Sequence, residues 1–257
     1  MGWIELHGAA NVRDLAGLPT EDGRRIAERK LVRADNLRGL SQADVTTLVR
    51  EWRVRTVVDL RTRSEVRSEG RGALTGVPQV RHLYHSMLPE TDGSAADSSD
   101  VLLTRRERIL SRYPDDFVCG MYLGYLAERP DSVVAAVRSV LDEEGATLVH
   151  CAAGKDRTGV VVALALSAAG VERDAVIADY VATGERITAV LDRLRASPTY
   201  ADGIDRIPVD AHRPRPETMA AFLDELERHY GGARGWLRRH GVGDDEIVRL
   251  RAYLLDD

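Results

Sequence analysis

The chain has 257 residues, of which 44% are hydrophobic, enough for one large α/β domain with a substantial core. Its formal charge of −5, with positive charge almost wholly arginine and lysine only at Lys30 and Lys155, argues against a nucleic-acid binder, which carries a basic surplus. Two cysteines, Cys119 and Cys151, make no disulfide framework and suit a reducing, cytoplasmic setting. No leader or spanning segment is visible, so integral membrane association is not expected; secretion by a non-classical route stays compatible with the sequence.

In the first segment, residues 8–36, Gly17, Pro19 and Gly23 punctuate the chain before a short strand at 31–34. Ser41 is a suitable N-cap for a helix over 41–52 that places Val45, Leu48 and Val49 on one face. Residues 54–60, VRTVVDL, form the clearest strand of the N-terminal half, short and β-branched. Strand ends in α/β sheets gather ligands, which makes Asp59 the first candidate for a general acid; the plainer alternative is a carboxylate that caps the following turn. Glu65 is expected to pair with an arginine, with Arg61 and Arg63 near in sequence. Alternation at 80–84 predicts another strand. Residues 86–116 are the most loop-like region, with TDGSAADSSD at the centre, read as a surface excursion in preference to a flap over a cleft. Two amphipathic helices follow at 115–128 and 132–143, separated by Pro130, with Cys119 as a core residue of the first.

Residues 147–169 read TLVHCAAGKDRTGVVVALALSAA: a buried strand, a tight loop, then an apolar helix. Strand, loop and helix start aim backbone N–H groups and the positive end of the helix dipole at one spot, so an anion is expected there. The five residues between Cys151 and Arg157 are enough to curl round a tetrahedral oxyanion, which the arginine closes with a bidentate pair. The same field favours the ionised sulfur of Cys151, and the Thr158 hydroxyl is placed to hydrogen-bond it. Gly154 and Gly159 allow the loop's backbone conformation and close approach. A nucleotide P-loop fails here because Val149 stands at the first glycine position and Asp156 follows the lysine. A rhodanese-like sulfur carrier fits the Arg157-Thr158 ending less well than phosphoryl transfer does.

Beyond the loop, residues 172–183 and 184–195 show helical spacing, and Pro198, Pro208, Pro214 and Pro216 then interrupt it. Helices are predicted at 217–229, 233–240 and 244–255, divided by Gly231-Gly232 and Gly241-Val242-Gly243. His212, His229 and His240 lie scattered among arginines as surface residues, with no metal-ligand spacing. One α/β domain over 1–257 is expected: a short twisted, mostly parallel sheet of four or five strands flanked by helices, with a helical C-terminal portion.

HCAAGKDRTG fits the pattern H-C-x5-R-[ST] and so resembles the cysteine-dependent phosphatases, the protein tyrosine and dual-specificity phosphatase superfamily. Lys155 and Asp156 ahead of Arg157 make it similar to a group of bacterial tyrosine phosphatases that includes a secreted mycobacterial one, some of which also act on phosphoinositides. NVRDLAG from Asn11, DLRTRSE from Asp59, Asp179-Tyr180 with Thr183, and the C-terminal YGGARGWLRRHGVGDDEIVRLRAYLL resemble the same group, so the likeness runs from 11 to 255. The resemblance implies a tyrosine-phosphatase-like fold and a nucleophilic Cys151 without metal or cofactor. The phosphate would lie in a loop of Ala152, Ala153, Gly154, Lys155, Asp156 and Arg157, with His150 and Thr158 in support. Asp156 rivals Asp59 as the acid, and Asn11, Arg13 and Asp14 are expected to brace the active-site loops. A lid within 187–216 is a further expectation. Phosphotyrosine in proteins is the first substrate and a phosphoinositide or dual-specificity substrate the second, with inorganic phosphate as product. An inactive phosphate-binding module is the reading from another class, and the intact Cys151, Arg157 and Thr158 oppose it.

Overall fold

The computed structural model describes residues 2–90, 99–141 and 144–256. Among the described residues, six strands build one sheet: β1 (Gly2–Trp3), β2 (Arg13–Asp14), β3 (Leu31–Ala34), β4 (Val54–Asp59), β5 (Arg81–Tyr84) and β6 (Ala146–His150), in the order β1-β2-β3-β6-β4-β5. The pairs β3–β6, β6–β4 and β4–β5 are parallel, and the two-residue strands β1 and β2 add an antiparallel edge. That edge accounts for the strand beyond the expected five, since two residues carry no alternation to read. The central strands are buried on both faces, as parallel strands covered by helices must be. Val32, Val57 and Leu148 point into one apolar layer with Val45 and Leu48, whereas Leu31, Val58 and Val149 point into the other with the long helix that follows β6.

Helix α1 (Gln42–Thr46) starts on Ser41, whose side chain accepts from Asp44 N while Asp44 returns a bond to the cap backbone; a π-helical turn at Thr47–Glu51 continues it. Next come α2 (Arg63–Glu69), α3 (Ser99–Arg112), α4 (Phe117–Glu128) and α5 (Pro130–Arg138). After β6 follow α6 (Asp156–Ala169), α7 (Arg173–Ala182), α8 (Ile187–Arg195) and the short α9 (Ala201–Ile204). Three helices, α10 (Pro216–Tyr230), α11 (Gly232–Arg239) and α12 (Asp244–Leu254), finish the chain. α6 is apolar almost all round because α4, α5, α7, α11 and α12 pack on it.

The expected loop over 86–116 is corrected in part, because α3 fills its second half and buries Ile109 against Gly120 of α4. Arginine-rich composition hid this helix from a pattern of apolar residues. The first eight residues of the polar run, 91–98, lie outside the described residues. Among the described residues, no helix is long and apolar enough to cross a membrane.

Candidate active site

β4 and β6 end in register, Asp59 beside His150, and the chain turns at that carboxyl edge into the loop 151–155 before α6 begins at Asp156. Three carbonyls of the loop are held on its outer side. Asn36 N donates to Ala152 O at 3.0 Å, Asn11 Nδ2 donates to Ala153 O at 3.0 Å, and Arg33 Nη2 donates to Gly154 O at 2.6 Å. Turning these carbonyls outward leaves amide hydrogens free to face the anion position. Gly154 has φ +66°, and a Cβ there would lie 2.5 Å from Ala34 O, so the loop rests on the end of β3 as only glycine permits.

A buried lattice of charge supports this face of the loop. Asp179 accepts from Arg13 Nε at 2.8 Å and from Arg33 Nη1, and Arg13 also donates to Asn11 Oδ1. Burial opposes the Asp179 anion, yet the two guanidiniums keep its pKa below the ordinary carboxylate value. Asn11 and Arg13 thus brace the loop, while Asp14 bonds instead to the amide of Arg29 at 3.1 Å.

Cys151, 2% exposed, lies at the base of a cleft of about 290 Å³. Arg157 lines the same cleft and forms an end-on pair with Glu65, Nη1 to Oε2 at 2.6 Å and Nη2 to Oε1 at 2.8 Å. Glu65 is placed by its own helix start, where Thr62 N donates to Oε2 at 2.7 Å and Glu65 N donates to Thr62 Oγ1 at 3.2 Å. Burial works against this carboxylate, but Arg157 draws its pKa down to about 2. Tyr200 donates to Glu65 Oε1 and lies 3.2 Å from Arg157 Nη2. Lys155 Nζ donates to Asp156 Oδ1 at 2.7 Å, and Tyr122 OH donates to the same oxygen at 2.7 Å. Against the cost of burial, Lys155 and Tyr122 hold the Asp156 pKa below its ordinary value.

The sequence matches the tyrosine phosphatase family over residues 4–256. The chain belongs to the tyrosine phosphatase family. It is 30% identical to the Mycobacterium tuberculosis triple specificity protein phosphatase PtpB, across 98% of each chain. A Cupriavidus necator protein described as a tyrosine-protein phosphatase is 32% identical over 96% of this chain and 86% of its own. The solved structure of P. aeruginosa TpbA overlaps at 18% identity, covering 77% of this chain and 89% of that one, with a TM-score of 0.30.

Within this phosphatase, the predicted loop residues Cys151, Ala152, Ala153, Lys155, Asp156 and Arg157 line the cleft, whereas His150, Gly154 and Thr158 lie behind it. His150 is fully buried; its Nδ1 lies 3.3 Å from Cys151 O, and burial lowers its pKa to about 4, which keeps the ring neutral near pH 7. The Thr158 hydroxyl is buried with no hydrogen-bond partner among the described residues. Asp59 stands apart from the cleft. It reaches the expected sheet edge, but its Oδ1 accepts from Arg61 N at 3.0 Å and Nε at 2.9 Å, and its Oδ2 from Arg61 Nη2 at 2.7 Å. Burial notwithstanding, His150 and Arg61 hold the Asp59 pKa down to about 2, and the residue does not line the cleft. Glu65 does pair with an arginine, though with Arg157 instead of Arg61 or Arg63.

Tyr122, Tyr200 and Arg33 escaped the sequence reading. Nothing local marks them, since each acts on a loop far away in the chain. Residues 187–216 form one wall of the cleft through Ile187, Val190, Leu191, Tyr200, Ile204 and His212, with Leu88, Met121 and Tyr125 opposite. His212 is therefore a cleft residue, and His240 stacks on Trp236 at 4.3 Å instead of standing alone in solvent. A larger hollow of about 380 Å³ opens at the far end of α6 near Gly170 and holds no cysteine or histidine among its lining residues.

Proposed function

We propose that this chain hydrolyses phosphate monoesters through a cysteinyl-phosphate, with phosphotyrosine in proteins as the preferred substrate. One observation carries the reading: Cys151 sits at the foot of a cleft that Ala152, Ala153, Lys155, Asp156 and a Glu65-anchored Arg157 also line. Arg157 Nε has no partner among the described residues, so its N–H is open to one phosphate oxygen, and a second oxygen takes the Nη2 donor now spent on Tyr200 OH at 3.2 Å. The Cys151 thiolate attacks phosphorus as the ester P–O bond breaks, the amides and Arg157 hold the equatorial oxygens, and water then cleaves the S–P bond.

Asp156 is the general acid in this reading, in place of Asp59. It lines the cleft, whereas both oxygens of Asp59 are spent on Arg61. Lys155 keeps Asp156 ionised until substrate arrives. When the ammonium turns to the phosphate, the dianion beside Asp156 raises its pKa and favours the protonated form. Charge neutralisation comes from Arg157, Lys155 and backbone amides, so turnover is expected in EDTA.

Aromatic substrate suits the apolar walls at Leu88, Met121, Tyr125, Val190 and Leu191. Lys155 and Arg157 are the only Lys or Arg residues among those that line the cleft, fewer cations than a polyphosphorylated inositol ring would pair with. Phosphoinositide or dual-specificity activity is the second reading, favoured by the triple specificity in the name of the PtpB relative. Residues 187–216 act as the lid of this cleft: α8 is tied down where Arg193 Nε meets the buried Asp35 at 2.9 Å, while the stretch from α9 to His212 is joined to α8 by the exposed pair of Arg195 with Asp205 at 2.8 Å and is the part that swings.

Hydrolysis of p-nitrophenyl phosphate in EDTA by wild type and Cys151→Ser tests the core of this reading. Full wild-type turnover, vanadate inhibition and an inactive mutant that still binds phosphate are expected; a mutant as fast as wild type sinks it. Turnover of phosphotyrosine peptide, phosphoserine peptide and phosphoinositide separates the substrates, and equal rates on all three overturn the tyrosine preference.

A further inference from the structure

Asp156 meets the cleft with one carboxylate oxygen engaged and the other open. Oδ1 accepts from Lys155 Nζ and from Tyr122 OH, both at 2.7 Å, and no donor among the described residues reaches Oδ2. Tyr122 belongs to α4 and is fully buried; its hydroxyl lies 2.8 Å from that of Tyr180 on α7, which is 2% exposed. Because Tyr122 gives its proton to Asp156, its oxygen accepts from Tyr180, and the two phenols form a one-way chain that ends on Oδ1. We propose that Tyr122, backed by Tyr180, is the positioning residue of the general acid, fixing the transferable proton on Oδ2. This inference rests on the reading of Asp156 as the acid.

The two donors on Oδ1 differ in kind. Lys155 is a point charge on a flexible stem, free to move to the phosphate. Tyr122 has no such freedom: its ring packs edge-on against Tyr180 and Phe222 at centroid distances of 6.2 and 6.0 Å. It therefore keeps donating after the lysine has gone, and the oxygen it occupies is the poorer place for a proton. As the S–P bond forms and the P–O bond breaks, the proton passes from Oδ2 to the departing oxygen; in the second step the same oxygen accepts a proton from the attacking water. The groups that face Asp156 are Lys155 and Arg157 on its own segment, Tyr122 from α4, and Tyr180 from α7 through Tyr122. Burial, together with the negative charge of Asp156, raises the pKa of both phenols, so each remains a neutral donor across the working range.

Tyr122→Phe removes one hydroxyl and no ring. The test is kcat against pH for this variant and for Tyr180→Phe, on phenyl phosphate as a poor leaving group and on p-nitrophenyl phosphate as a good one. A donor to the charged form lowers a carboxyl pKa, so its loss is expected to move the alkaline limb of kcat up by about one pH unit in Tyr122→Phe. Tyr180→Phe moves it the same way by less. On the plateau, Tyr122→Phe is expected to slow phenyl phosphate several-fold and p-nitrophenyl phosphate little, because protons stranded on Oδ1 serve only the reaction that needs an acid. A mere packing role lowers stability and leaves both limbs in place.

Alkaline limbs that superimpose on wild type in both variants overturn the proposal. Should Tyr122→Phe not fold, the limb of Tyr180→Phe decides alone. Asp156→Asn separates the two layers of reasoning. If it keeps wild-type turnover of phenyl phosphate, the acid assignment itself fails. If it loses the alkaline limb while the tyrosine variants match wild type, Asp156 stands as the acid and the tyrosine chain does not.

Discussion

Glu65→Gln tests the anchor of the site, because the change keeps the shape of the side chain and removes only its charge. Glu65 is 5% exposed and forms both hydrogen bonds of the end-on pair with Arg157. Its pKa falls from the ordinary 4.5 to about 2, which corresponds to about 3 kcal/mol of stability at neutral pH. A folded-state pKa below the unfolded one stabilises fully above the ordinary value and is lost as pH falls through the folded value. The stability gap between wild type and Glu65→Gln is therefore expected to be about 3 kcal/mol at pH 7 and about 2 kcal/mol at pH 3.5. Urea denaturation at the two pH values measures it. Freed of its counter-charge, Arg157 drifts from the anion position, and kcat/KM is expected to drop on the order of 10- to 100-fold. A gap that does not narrow in acid, or one below about 1 kcal/mol at pH 7, refutes the account of Glu65 as the charge that holds Arg157.

Three further outcomes follow from other parts of the site. Gly154→Ala places a Cβ 2.5 Å from Ala34 O at a backbone φ of +66°, so it is expected to cost about 1–3 kcal/mol and to weaken vanadate binding at least tenfold, read by inhibition titration. Asp179→Asn takes the shared counter-charge from Arg13 and Arg33, both fully buried, and is expected to lose about 3–5 kcal/mol in urea denaturation. Burial pushes the Cys119 thiol up to about 12, so one equivalent of iodoacetamide at pH 7 is expected to label Cys151 alone, as mass spectrometry of the digested protein will report. Labelling of Cys119 at a comparable rate contradicts its place in the core.

The strand-loop-helix unit around Cys151 was legible because everything it needs is contiguous. An apolar run makes β6, a glycine takes the positive φ, and the first turn of α6 begins where Asp156 does. The C-terminal helices were legible for a similar reason, since glycines follow α10 and α11 and set off the start of α12. Helix α3 was not, because it starts inside the polar run of residues 91–100 and is itself rich in arginine, so composition spoke for a loop. The pairing of Asp59 was hard to read for a different reason. Its position at the sheet edge was right, but a carboxylate two residues from an arginine has a local partner available, and the fold buried the two together.

From the order of its residues alone came the strand-loop-helix unit that sets Cys151 and Arg157 on one tight, glycine-bent loop, since a loop that closes within ten residues is written in a contiguous stretch of chain. Which charges steady that loop was a matter of sheet order. Setting β6 between β3 and β4 brings Arg33 from one side and Glu65 from the other to the same loop, and the helices above add Tyr122, Tyr180 and Tyr200. Those partners lie between 34 and 135 residues away along the chain from the side chain or carbonyl they touch, and no local pattern encodes a meeting at that range. Burial then assigns the protonation states, because the charge each carboxylate keeps depends on which cation the packed structure has left beside it.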